Sequence, residues 1–415
     1  MKTSMNESGS PPADLTEALR HEPNEPGADH RLPTRTDASA LEYPWAHPPA
    51  IGEVVEIAHG IGWLRMPLPW GLDHINLYLL PDGAEGEFAL VDTGIRSKET
   101  KAAWRRLVGT GGTRSKDGRI HLTRLLLTHH HPDHLGLAGW FADRYGLKVH
   151  ASRVCWLYAR TLWFDKAPEV PAEVLEFFHR AGFSPEALER LRAAGWGRYR
   201  EGVERLPIGV HRIDPTEPLK IGGALWWAIE TAGHAPGHLS FFDPKRRLLV
   251  SGDQVLPEIS SNVSVYPSEP FGNPLAEWLE GLARLRALPA DTLVLPAHNR
   301  PFRGLHPRLD QLIGKHVERL GGVAEMCREQ PRAAVEIFPA LYRRRVAGME
   351  YMMATGEALA HLHFLEAEGV LAREPDATGA HRFVWRARYQ AQEVVERLAK
   401  ITRGQEETAP WTSIR

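Results

Sequence analysis

The chain has 415 residues, 43% of them hydrophobic and 25% charged, with a formal net charge of -2. That supplies a sizeable core and more than one domain, and it excludes a generally basic nucleic-acid protein or one with an acidic tail. Cys155 and Cys327 are the only cysteines, too far apart for a disulfide framework and without metal-type spacing, so both read as core residues in a reducing compartment.

The N-terminus has no apolar run behind Lys2, and no stretch reaches membrane-spanning length, so a cytoplasmic protein without membrane association is expected. Residues 1–47 are rich in Pro, Gly, Ser, Thr and charge and read as a flexible arm. From about residue 52, VVEIAHGIGWLRMPL, HINLYLLP and EFALVDTG are short β-rich runs bounded by Gly, Pro or Asp. TKAAWRRLVG then reads as a helix, HLTRLLLTHH as a buried strand, LGLAGWFADRYG as a helix and LKVHAS as a strand, an alternation that marks a layered α/β architecture.

Residues 152–206 interrupt the alternation with an aromatic-rich helical insertion. One of its helices is well signed, with Ser184 as N-cap, Pro185 first, Leu188 and Leu191 inward and Gly195 as terminator. The insertion either forms a pocket wall or packs as a helical pair on the scaffold. Strands return with HRIDP, LKIGGALWWAIETAG, the hairpin-like SFFDPKRRLLV, and TLVLPAH, while PLAEWLEGLARLRAL has helical spacing.

Residues 309–403 carry three helical stretches, LDQLIGKHVERLGGVAEMCREQ, AAVEIFPALYRRRV interrupted near Pro339, and TGEALAHLHFLEAEG with Thr355 as cap and Gly369 as stop. Two short strands around PDATG follow, which completes a winged-helix-like pattern. YQAQEVVERLAKI reads as a closing helix and residues 404–415 as a tail.

The chemistry is concentrated in TRLLLTHHHPDHLG. His129, His131, Asp133 and His134 follow an apolar strand, and alternate residues leaving a strand point the same way, so His129 and His131 can grip one ion while the turn sends Asp133 and His134 to a neighbouring position. Imidazole and carboxylate suit borderline divalent metals. His234 and His238, Asp253, and His298 each follow a predicted strand, as does Asp92 in LVDTG, and strand ends on one sheet edge converge.

HHHPDH, GHAPGH, GDQV and PAHN, with VDTG upstream, resemble the ordered motifs of the metallo-β-lactamase superfamily over about residues 52–305. The resemblance implies an α/β fold, an αββα sandwich over residues 48–308 with its metals at one edge, here with the helical insertion and the C-terminal winged-helix-like domain. It implies two divalent ions, zinc first with iron or manganese as alternatives. His129, His131 and His234 would hold one, Asp133, His134 and His298 the other, and Asp253 would bridge them. It further implies that Asp92 orients ligands, that His238 supports the site without ligating, and that Asp133 is catalytic, orienting a metal-bridging hydroxide. His130 should point away from the metals.

The expected substrate is a small organic thioester, ester or lactone, with Trp70 and Tyr266 as candidate pocket residues. Trp156, Trp163 and Phe164 in the insertion read as core more readily than pocket. Two other activities stay open. One is a phosphodiesterase or endoribonuclease using the winged helix, since some members with such an appended domain cleave RNA. However, the would-be reading helix carries Glu357, Glu366 and Glu368 and no Lys or Arg, and a solvated face explains Arg343, Arg344 and Arg345 equally well, so nucleic acid is not the expected partner. The other is an iron-dependent dioxygenase. The oligomeric state is open, a homodimer included.

Overall fold

The computed structural model describes residues 41–108, 120–348 and 350–413. Most of the expected N-terminal arm therefore lies outside the described residues. Where description begins, Leu41 and Tyr43 already pack on the core and Glu42 exchanges backbone hydrogen bonds with Arg303 at 3.2 and 2.9 Å.

The β-rich runs form two sheets. The first contains, in spatial and chain order, β1 (Val54–Ala58), β2 (Ile61–Pro67), β3 (His74–Pro81), β4 (Glu87–Val91), β5 (His121–Leu126), β6 (Lys148–Ala151) and β7 (His211–Arg212). Neighbours from β1 to β4 pair antiparallel, and those from β4 to β7 pair parallel. The second sheet contains β8 (Leu219–Ile221), β9 (Ala224–Thr231), β10 (His238–Asp243), β11 (Leu248–Gly252) and β12 (Leu293–Pro296), neighbours in that sequence. Only the β11–β12 pair is parallel.

The strand sequences are apolar on both faces because both faces are covered. Ile61, Trp63, Tyr78 and Leu80 meet Trp226, Phe241 and Val250 between the sheets. The residues between them in sequence turn the other way, as strand geometry requires. Leu64, Leu77 and Leu79 meet α1 (Lys98–Leu107) and, past the single turn α2 (Pro132–Leu135), α3 (Ala138–Tyr145). Trp227, Phe242 and Leu249 face a second helical layer. The result is an αββα sandwich.

The insertion is shared between the two outer cores. Cys155, Trp156 and Ala159 of α4 (Arg153–Phe164) join the first-sheet core. Phe177 and Phe178 of α5 (Ala172–Arg180) and Leu191 of α6 (Pro185–Ala194) join the second. Ser184 caps α6 by accepting from the Ala187 N–H at 3.3 Å, with Pro185 first and Gly195 at the stop, as the sequence predicts. The short α7 (Tyr199–Gly202) returns the chain to the sheet.

The second outer layer is built by α8 (Pro274–Leu285) and the long α9 (Leu305–Glu329). The expected middle helix of the C-terminal region is instead a 3-10 turn at Ala334–Ile337 followed by one turn, α10 (Phe338–Leu341), because Pro339 is tolerated only at a helix start. Helix α11 (Glu350–Ala367) begins a turn and more before Thr355, so Thr355 is not its cap. The Thr355 hydroxyl donates back to the Tyr351 carbonyl at 2.7 Å inside the helix. A hairpin of β13 (Leu371–Pro375) and β14 (His381–Trp385) precedes α12 (Ala391–Thr408). Although a tail is expected from residue 404, α12 continues to Thr408 and Trp411 is buried with its ring 6.2 Å from Trp227 and 6.0 Å from Phe242. One apolar cluster thus runs from the outer face of the second sheet through α8, α9 and α11 to Trp411.

Candidate metal centre

Strand directions bring the candidate residues to one edge. Asp92 and His129 follow the parallel pair β4 and β5. β9 and β11 both run antiparallel to β10, and β12 runs parallel to β11, so His234, Asp253 and His298 leave the second sheet at the same end. The sheets are joined there by backbone hydrogen bonds from Leu239 N–H to Thr128 O at 2.8 Å and from Asn76 N–H to Ala297 O at 2.7 Å. His131 stands at the N-cap of α2 with Pro132 after it, so the chain turns at once and places Asp133 and His134 beside the strand-end histidines.

Two groups of metal-capable atoms result. His129, His131, His234 and Asp253 form one, and Asp133, His134 and His298 the other, with the donor atoms of each group within 4.8 Å of one another. In the first, His129 Nε2 is 2.9 Å from His131 Nδ1 and 3.2 Å from His234 Nε2. In the second, Asp133 Oδ2 is 3.7 Å from His134 Nε2 and 3.5 Å from His298 Nε2. Asp253 divides its oxygens between them. Its Oδ2 is 3.3 Å from His234 Nε2, while its Oδ1 is 3.5 Å from His134 Nε2 and 3.4 Å from His298 Nε2.

Outer hydrogen bonds aim the inner atoms. Nδ1 of His134 meets Asp92 Oδ2 at 2.7 Å, Nδ1 of His234 meets the Asn262 carbonyl at 2.7 Å, and Nδ1 of His298 meets the His74 carbonyl at 2.9 Å. An oxygen acceptor assigns the proton to Nδ1 in each ring and leaves the Nε2 lone pair facing inward. Asp92 also accepts from the Thr128 N–H at 2.8 Å and the Thr128 hydroxyl at 2.7 Å.

This arrangement fits divalent cations. Burial and the surrounding imidazoles hold His129 and His131 well below the usual histidine pKa, so both are neutral imidazoles able to ligate a cation. Burial also pulls His134 down, but the carboxylates of Asp253, Asp133 and Asp92 overcome it and leave its pKa well above the ordinary value, a negative field in which a cation would displace the proton from Nε2 and free its lone pair. His134 Nε2 and Asp253 Oδ1 are buried without a hydrogen-bond partner. Buried polar atoms of this kind are costly unless something pairs with them. Convergent lone pairs and a buried carboxylate are the donor set that zinc-like ions take.

The remaining sequence candidates separate. His238 lies in neither group. Its Nδ1 meets the Thr231 hydroxyl at 3.1 Å, and its Nε2 accepts the Asp253 N–H at 3.2 Å, which steadies the backbone beneath that carboxylate. Gly252 permits this approach: it has φ +52°, and a Cβ there would stand 2.5 Å from His238 Nε2. His130 is also outside both groups, its ring edge-on to Tyr158 at 4.7 Å. Tyr266 lines a cavity that reaches His234, whereas Trp70 is half exposed and does not line it. In the insertion, Trp156 is core, Trp163 lies under Arg200 at 4.4 Å, and Phe164 is exposed.

Sequence reasoning missed several supporting residues. Thr128, Ser261 and Asn262 act on the site, the last two through Ser261 donating to the Asp253 carbonyl and through the Asn262 carbonyl. Thr128 had a signal, since it ends the strand immediately before the first ligand candidate. A carbonyl has none, because every residue carries one.

The family model described as metallo-beta-lactamase superfamily matches residues 70–298, and one described as metallo-beta-lactamase-like, C-terminal domain matches residues 320–386. The chain belongs to the metallo-beta-lactamase superfamily. The crystal structure of a beta-lactamase domain protein from Burkholderia ambifaria is 38% identical, with a TM-score of 0.75 over 84% of this chain and 99% of that one. Probable metallo-hydrolase YqjP of Bacillus subtilis is 26% identical over 74% of this chain and 92% of its own length. Hydroxyacylglutathione hydrolase of Fuscovulum blasticum is 25% identical over 61% of this chain and 74% of its own. As a member of this superfamily with the donor clusters in place, the chain is a metal-dependent hydrolase.

Proposed function

We propose that this superfamily member is a dinuclear, zinc-dependent hydrolase of small thioesters, esters or lactones. The carrying observation is the division of the Asp253 carboxylate, one oxygen toward each donor group. When bound, two such ions supply a water nucleophile at neutral pH and polarise the acyl oxygen.

The chain's own residues do the rest. Asp92, through Thr128 and His134, fixes one imidazole so that its Nε2 cannot turn away. The Asn262 and His74 carbonyls do the same for His234 and His298. Asp133 stands between His134 and His298 and is the residue placed to orient the attacking water and accept its proton at a carboxylate oxygen. Water adds to the acyl carbon, the bond to sulfur or oxygen breaks, and the thiol or alcohol leaves with a proton.

The nucleic-acid reading is less well supported. The helix that would enter a groove, α11, is buried continuously from Ala354 to Leu365 and offers no face to a duplex. Glu357 is paired with Arg319, and Glu366 with Arg373.

Elemental analysis of the purified protein, combined with thioester, lactone, phosphodiester and β-lactam substrates, tests the reading. Two zinc ions per chain and thioester or lactone turnover are expected. Less than one metal per chain would remove the dinuclear reading, and redox-active iron with oxygen consumption would replace hydrolase by dioxygenase.

A further inference from the structure

The cavity that reaches His234 has a volume of about 460 Å³. It opens between α4, the loop after β11 and the start of α8, and Val154, Pro236 and Val265 give it apolar wall. Beside His234, Ser264, Ser268 and Asn273, its polar lining holds Tyr158, Tyr266, Glu269 and Glu277, and among the described residues no Arg or Lys lines it.

Neither carboxylate has a cationic partner among the described residues. Glu280, a residue further along α8, is paired with Arg284 at 3.8 Å, whereas Glu269 and Glu277 form no ion pair among the described residues. Partial burial and the like charges of Glu269 and Glu280 raise the pKa of Glu277 against the lowering effect of a hydrogen bond from the Gly233 backbone, so the carboxylate stands in a field largely of its own sign. The tyrosines are un-ionised. Tyr266 is 42% exposed at the cavity mouth, and the Tyr158 hydroxyl is engaged with Ser268 Oγ at 2.8 Å. Aromatic faces and carboxylates both attract a cation and repel an anion, and an unpaired carboxylate rim makes the discrimination stronger.

We infer that this cavity receives the part of the substrate remote from the scissile bond, and that this part carries an ammonium group on a short apolar stem. The inference rests on the hydrolase reading of the adjoining centre. The stem lies along Val154, Pro236 and Val265, and the ammonium meets Glu269, Glu277 and the tyrosine faces. Substrates with a carboxylate or phosphate at that end, glutathione thioesters among them, find no cation to meet them.

The test uses the metal-loaded full chain and three N-acetylcysteamine thioesters of matched length, the aminohexanoyl, heptanoyl and adipoyl derivatives. The aminohexanoyl thioester should exceed the adipoyl one by about tenfold in kcat/KM, chiefly through KM. In Glu269→Gln/Glu277→Gln the ratio should fall to near one. Glu269→Gln alone, at an exposed position, should move it part of the way and guards against misfolding of the double variant. Direct calorimetry with hexylammonium and hexanesulfonate reads the same cavity without turnover, and only hexylammonium should bind, more weakly in the double variant. A preference for the adipoyl thioester, equal rates for all three, tighter hexanesulfonate binding, or a ratio unchanged by the substitutions would overturn the inference. If none of the thioesters is cleaved although two metals are present and hexylammonium binds, the thioester reading of the centre fails while the ammonium preference of the cavity stands.

Discussion

Asp92 has φ +60°, in the left-handed region that Asp and Asn tolerate better than other residues with a Cβ. Asp92→Asn therefore keeps the turn and changes the chemistry. One amide oxygen replaces two carboxylate oxygens: at Oδ2 it leaves the Thr128 N–H without an acceptor, and at Oδ1 it leaves the Thr128 hydroxyl and His134 Nδ1 without one. Metal affinity should fall by about 10–100-fold, measured by chelator competition, with little change in the melting temperature of the metal-free protein. Asp253→Ala removes the group that faces both donor clusters, so its effect should exceed the about 100-fold ceiling for outer partners. Activity at background and fewer than two metals per chain are expected, and full activity with two metals would end the bridging assignment. These residues were legible in the sequence because metal chemistry restricts the letters to His and Asp and places four of them within six positions. Asn262 was not legible, since it contributes a backbone carbonyl. Glu277 was hidden for another reason: an acid in a first helical turn already has an ordinary explanation in the helix dipole.

Helix α11 supports the metal centre through the loop after β11. The Val265 N–H donates to Gly356 O at 3.0 Å, and His363 Nδ1 meets Gly272 O at 2.9 Å, so the helix holds the loop at two points. Just before the first of these points Ser264 Oγ donates to Asn262 Oδ1 at 2.7 Å, and Asn262 O receives His234. Gly356 is needed because a Cβ there would come within 2.7 Å of Ser264 Cβ and 2.9 Å of Val265 O. Glycine to alanine inside a helix ordinarily stabilises by up to about 1 kcal/mol, and Gly314→Ala in α9, where nothing lies within 4 Å, should behave that way in thermal melts. Gly356→Ala should show the opposite sign and also weaken metal binding, because the displaced loop carries the acceptor for His234. A Gly356→Ala protein that melts higher and binds metal normally would show that the loop is not held there. The strands of this region were legible from apolar runs and the hairpin from its charged turn. The helix–loop contact was not, since it joins residues about 90 positions apart, once between backbone atoms and once from a histidine ring to a carbonyl. Pro339 was legible as an interruption, but whether one helix or two short turns resulted depended on the packing around it.

The core that joins the second sheet to the C-terminal helices contains a stacked pair of buried histidines, and these tie the stability of the whole molecule to pH. His316 of α9 lies 5.0 Å from the Trp278 ring of α8, and its Nδ1 is 3.3 Å from Nε2 of His361 on α11. His361 Nδ1 meets the Glu357 carbonyl at 2.8 Å, which leaves His316 Nε2 as the unpartnered end of the chain. Burial, with His361, Arg319 and Lys315 nearby, holds His316 well below the ordinary histidine pKa. Burial lowers His361 as well, despite Glu357. Both rings are therefore neutral in the fold and take up a proton readily only when unfolded. Their stabilising contribution is complete above about pH 6.5 and is lost as pH falls from there toward their depressed native values, at about 1.4 kcal/mol per histidine for each pH unit. Lys315 does not confuse the window. Burial and the neighbouring arginines lower it to about 8, so its proton is already bound in both states below neutrality. Urea unfolding of the metal-free chain between about pH 7 and pH 5 measures the slope, and His316→Leu, close to histidine in volume, should reduce it by about one proton's worth. The comparison of slopes separates titration from packing, since a lost contact lowers stability equally at every pH. Equal slopes in the two proteins would mean that His316 is charged in the native core and that the three helices meet around a cation.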